Sequence, residues 1–94
     1  MALWEVRTST QMQDPRDSNE WGSCSVLAFT TRFIGRTVSL VEGNDEAMAQ
    51  LRASAGIQYV DKAADTDYLD DRSGSKVRVL DGGTRTKRVP DGPA

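Results

Sequence analysis

The chain has 94 residues, a formal net charge of −2 at pH 7, one cysteine and no histidine. This length suits one small domain, 1–94, whose folding would remove roughly 60–65% of the unfolded surface from water, so the core is expected to be thin. The single cysteine excludes an internal disulfide framework, and the missing histidine removes both the usual general base near neutral pH and the commonest zinc ligand, so neither an ordinary one-chain zinc site nor a histidine-activated nucleophile can be built.

An apolar fraction of 37% against 28% charged residues is polar for a globular domain, yet too apolar and too mixed in sign for disorder throughout. The opening MALWEVRTST has no basic region followed by an apolar run, and no segment approaches the ~20 apolar residues of a membrane span. No signal peptide and no membrane partner are expected, and the expected location is the cytoplasm, including assembly there into a particle. No cofactor and no metal are expected.

LWEVRT, from Leu3 to Thr8, alternates as a half-buried antiparallel strand does, with Trp4, Val6 and Thr8 on one side and Glu5 and Arg7 on the other. A polar loop, 11–22, follows: Pro15, Asp14, Asp17, Ser18, Asn19 and Gly22 all favour turns. CSVLAFTTRFI, 24–34, is the strongest strand pattern. Its apolar residues on both faces predict a central position in the sheet. A hairpin around Ile34–Arg36 leads into TVSLVE, with one long bulged strand as the rival reading.

In GNDEAMAQLRASAG, Asn44 or Asp45 can cap a helix over Asp45–Ala55. Ala47, Met48, Leu51, Ser54 and Ala55 form its apolar stripe, and Gly56 suits a left-handed residue after its end. IQYV, 57–60, then reads as a short strand. The acidic run DKAADTDYLDD, 61–71, reads as a solvated loop. Two strands, Lys76–Leu80 and Thr84–Val89, flank Asp81-Gly82, a pair suited to a type I′ turn, with Gly83 available for a bulge. The tail 90–94, PDGPA, is turn-rich.

Five patterns bear on function. The acidic run has Asp65, Asp67, Asp70 and Asp71, but the fifth and sixth positions from Asp65 are Leu69 and Asp70, so a calcium loop of the EF-hand kind fails. No glycine spacing makes a phosphate cradle, and GSCS around Cys24 carries no catalytic weight without a base. The hairpin is basic: Lys76, Arg78, Arg85, Lys87 and Arg88 lie within it, although the chain is acidic overall. Such a ribbon can meet phosphates, pack on the acidic stretch before it or on a partner's acidic surface, or blunt a sheet edge. No aromatic residue lies within it to stack on a base. Trp21 ends the polar loop, where a large aromatic serves either the core or a partner. Trp4 is expected in the core, as is Cys24.

The segment LVEGNDEAMAQLRASAGIQYVD looks like the second half of a split βαβ, ferredoxin-like unit and is similar to the end of subtilisin-type propeptides. The likeness spans about a quarter of the chain. It implies a propeptide-like protease inhibitor, but the helix which that family places in the first half is missing between Thr8 and Ser23.

The residues thus predict an α+β fold: a small antiparallel sheet of four to five strands with one amphipathic helix on one face, the other face and the edges being open to contact. The expected role is non-catalytic, a protein–protein interaction or assembly module such as a small structural subunit of a viral or phage particle, through a protein partner or self-association. The candidate contact residues are Trp21, Lys76, Arg78, Arg85, Lys87 and Arg88. The alternative is a nucleic-acid-associated regulator using hairpin 76–89, with the propeptide-like inhibitor third.

Overall fold

The computed structural model describes residues 2–8, 13–17, 21–22, 24–33 and 36–89, with the side chains of residues 33, 36, 88 and 89 outside the description. The tail 90–94 and parts of the 11–22 loop therefore lie outside the described residues. The strands are β1 (Ala2–Thr8), β2 (Ser25–Phe33), β3 (Arg36–Gly43), β4 (Ile57–Lys62), β5 (Asp67–Leu69), β6 (Lys76–Leu80) and β7 (Arg85–Val89). The helix α1 spans Asp45–Arg52, and a 3-10 turn covers Pro15–Asp17. The fold is α+β, as the hydropathy pattern predicts.

The strands form two antiparallel sheets rather than one: β2-β3-β1-β4 and β5-β6-β7. β1 runs antiparallel to both β3 and β4, so those two are parallel to each other, and α1 carries the chain across from one to the other. This is the split βαβ arrangement expected for residues 40–61. β2 and β3 form the expected hairpin, with Phe33 opposite Arg36.

Pleating sorts the first sheet into two apolar layers. Trp4, Val6, Val41 and Val60 face α1 and enclose Met48 and Leu51. Leu3, Ala28, Val38 and Leu40 face the other way and pack on Ala63, Tyr68, Val77 and Val79 around the second sheet. Both faces of the first sheet are therefore covered, which corrects the expectation that one face stays open.

The same coverage explains two further departures. β2 is an edge strand, not a central one. Its apolar residues on both faces report a layer above and a layer below, not a neighbour on each side. β1 is central and buried across its middle, so Glu5, expected on a wet face, is only 4% exposed. The run 61–71 is likewise not a simple solvated loop: β4 reaches Lys62, β5 takes Asp67–Leu69, and Asp70 is 2% exposed.

The helix begins where expected. The Asn44 side-chain carbonyl accepts the Ala47 amide at 2.8 Å, making Asn44 rather than Asp45 the cap. It ends earlier than the stripe suggests, at Arg52, leaving Ser54 and Ala55 exposed in the turn that Gly56 (φ +84°) completes before β4.

Candidate functional site

The basic hairpin is a real ribbon, and its register decides which cations share a face. Arg78 lies opposite Lys87 and Leu80 opposite Arg85, while Val77 and Val79 turn inward to the core. Strand alternation therefore gathers Lys76, Arg78, Arg85 and Lys87 on the outer face. Arg88 lies opposite Val77 in the backbone ladder, and its side chain is outside the described residues. Trp21 is not part of this face: it is half-buried against the layer formed by Trp4 and α1.

The ribbon is partly neutralised by the acidic stretch before it. Asp67 of β5 stands opposite Arg78 and accepts its Nε at 2.7 Å and its Nη2 at 3.3 Å. That hydrogen bond holds the Asp67 carboxyl below the usual carboxylate range. Arg85 pairs with Asp81 at 3.1 Å. Lys87 has no ion-pair partner among the described residues.

The turn is fixed in place. Asp81 (φ 51°) and Gly82 (φ 64°) both take the positive φ of a type I′ turn, and the Gly83 amide donates to the Leu80 carbonyl at 3.1 Å. The Gly83 carbonyl then accepts the Leu3 amide at 2.7 Å, and the Gly82 amide donates to Asp65 at 2.9 Å. The ribbon is thereby tied to β1 and to the segment leading into β5.

The sheet edges differ in how they are finished. On β2, the Phe29 carbonyl accepts the Asp71 amide at 2.8 Å and the Thr31 amide donates to the Asp71 carboxylate at 2.9 Å, so the 70–75 turn closes part of that edge. On β4, the Arg52 guanidinium donates to the Val60 carbonyl at 3.0 and 3.3 Å. β5 is three residues long and runs directly into the contact with β2. β7 ends its sheet, and Arg85, Thr86 and Lys87 are exposed. Among the described residues no strand lies beyond it.

The other polar clusters are structural in their geometry. Arg16 bridges Asp14 (2.6 Å) and Asp70 (2.7 Å), and Arg72 adds contacts to Asp14 and Asp17. Burial alone would raise Asp70, but the Arg16 guanidinium, the Ser73 hydroxyl and the Arg72 amide outweigh it and hold the carboxyl at about 2. Between the sheets, Glu5 accepts Arg7 Nε at 2.7 Å, the Tyr68 hydroxyl at 2.6 Å and the Tyr59 hydroxyl. Burial, then the bonded carboxylate, push the Tyr59 hydroxyl up to about 12. Both phenols are thus held as donors, and neither can serve as a base near neutral pH.

These clusters escape sequence reading because each joins residues from distant segments. The Asp67–Arg78 pair is the exception, since an acidic run just before a basic ribbon is itself the signal. Asp65, Thr66, Asp67, Arg78, Val79, Leu80 and Asp81 line a shallow groove of about 470 Å³. Its carboxylates are spread out, and no group of three or more His, Cys, Asp or Glu side chains among the described residues is arranged to hold a metal. Burial raises the Cys24 thiol, which opposes thiolate chemistry. No described helix is long and apolar enough to cross a membrane.

No family model matches this chain, and neither a curated protein nor a solved structure matches it significantly.

Proposed function

We propose that this protein is a non-catalytic interaction module that attaches to other proteins within a larger assembly. The observation that carries the reading is the contrast between sheet edges: β2 and β4 have backbone groups taken up by Asp71 and Arg52, β5 is cut short, and β7 is left at the rim with exposed basic side chains. An exposed edge is a liability unless a partner uses it or charge protects it. The titratable side chains of the interior support the same reading. Glu5, Tyr59, Tyr68, Asp70 and Asp71 are each engaged in hydrogen bonds that hold elements together.

A nucleic-acid role for the ribbon is the rival reading. Against it, Asp67 already pairs with Arg78, and the hairpin has no aromatic side chain for stacking. Size-exclusion chromatography with light scattering, at low and high salt, with and without a 20-nucleotide oligomer, separates the two. The expected result is a mass that neither the salt nor the oligonucleotide changes. A mass that rises with the oligonucleotide at low salt and falls back at high salt overturns the module reading.

A further inference from the structure

Resting on the module reading, we infer the chemistry of the partner: β7 accepts an acidic, extended segment of a different protein as an added strand. Strand addition draws its affinity from main-chain hydrogen bonds and its selectivity from alternate side chains. β7 supplies the first as the terminal strand of a three-stranded sheet. The outer face of that sheet supplies the second.

The cross-strand row Asp67–Arg78–Lys87 runs minus, plus, plus from β5 to β7. Arg78 is answered by Asp67, whereas Lys87 has no such neighbour among the described residues. Directly opposed residues in adjacent strands stand ~5 Å apart and interact. A strand added beyond β7 therefore places its own residue beside Lys87, and a carboxylate there would answer Lys87 as Asp67 answers Arg78. The neighbouring row ends on Arg85, whose pairing with Asp81 is exposed and easily exchanged. An acidic residue at every second position of the incoming strand meets both cations.

The same charges argue against a second copy of this chain on this edge. Apposing two β7 strands sets Arg85 and Lys87 of one against the same side chains of the other, and like charges directly opposite are destabilising. The anchoring of the turn through Gly83 to Leu3 and through Gly82 to Asp65 holds the edge in place before binding. Little ordering of the receptor is then needed.

The test is a nitrogen-15 NMR titration of the full chain with a capped octapeptide of alternating Glu and Val. Two controls accompany it: the peptide with Lys for Glu, and an equally acidic peptide interrupted by proline. The expected result is amide shifts concentrated at residues 85–89, with the Lys peptide inert. Lys87→Glu, at an exposed position that keeps the native spectrum, should weaken the Glu peptide about tenfold and let the Lys peptide bind. The inference is overturned if the 85–89 amides do not respond, if the proline-interrupted peptide binds equally well, or if Lys87→Glu changes neither affinity. If the peptide fails and the oligonucleotide also leaves the mass unchanged, the strand-addition inference falls while the module reading stands. If the oligonucleotide binds, both fall.

Discussion

At Gly83 the hairpin and the first sheet meet backbone to backbone. A side-chain carbon there would stand 3.2 Å from the Leu3 carbonyl oxygen and 3.3 Å from that of Ala63, and the residue holds φ +91°. Gly82, one residue earlier, shares the positive φ (+64°) but has nothing within 4 Å. The two positions separate conformational strain from close approach. Gly82→Ala should cost about 1 kcal/mol, the penalty of a side chain in the left-handed region. Gly83→Ala should cost about 2–3 kcal/mol, because it also pushes on the Leu3–Gly83 hydrogen bond. Urea denaturation of the two variants checks this, and equal losses would mean that the contact with β1 contributes nothing. The turn type was legible from Asp81-Gly82 because it is a local property. The docking of Gly83 on Leu3 was not, because it depends on where the second sheet comes to rest.

The single helix shows what local pattern does and does not determine. Asn44 and Asp45 are both good capping residues by type, and only the geometry separates them: Asn44 is extended, and its oxygen faces the Ala47 amide. Asn44→Ala should therefore cost about 1 kcal/mol. Asp45→Ala should cost only ~0.3–0.5 kcal/mol, since Asp45 contributes through the helix dipole alone. Thermal melts of the two variants give the comparison, and a larger loss at Asp45 would reverse the cap assignment. β1 to β4 and the β6–β7 hairpin were legible for the same reason as the helix, since alternation and punctuation lie within each segment. The order of strands was not. Apolar residues on both faces of Ser25–Phe33 pointed to a central strand, but periodicity reports layers above and below a strand rather than neighbours beside it. β5 was missed because Asp67–Leu69 is too short to show a period. Of the candidate contact residues, the outer-face cations were legible as a set. The pairing of Arg78 with Asp67, and the place of β7 as the terminal strand among the described residues, required the sheet register.

At the scale of the molecule, two carboxylates that follow β5 have their charge favoured by the fold: Asp71 ties the second sheet to β2, and Asp70 ties it to the Pro15–Asp17 turn. Asp70 takes Arg16, and Asp71 takes the Thr30 and Thr31 hydroxyls, the Thr31 amide and Arg32. For Asp71, as for Asp70, burial would raise the carboxyl, and these donors reverse the shift and lower it. Asp14 is lowered in the same way, with Arg16 overcoming burial. A carboxyl depressed in the folded state binds protons more readily in the unfolded chain, so stability must rise with pH across the interval between the two values. For Asp70 that interval runs from about 2 in the fold to 3.8 in the open chain. Its contribution is full above pH ~4, falls as the pH drops toward 2, and amounts to about 2 kcal/mol. In a chain of this size that is a melting-temperature loss of roughly 10 °C. Asp14 and Asp71 add to the fall with the same sign. Asp70→Asn should lower the melting temperature at pH 7, because Arg16 keeps only Asp14, and should flatten the decline between pH 4 and 2. A wild-type melting temperature that stays level across that interval would mean that these carboxylates do not stabilise the fold. If it falls, Asp71 is the carboxylate whose loss in acid frees β2 from the second sheet, and the amides of residues 29–31 should lose exchange protection before those of β1 and β3.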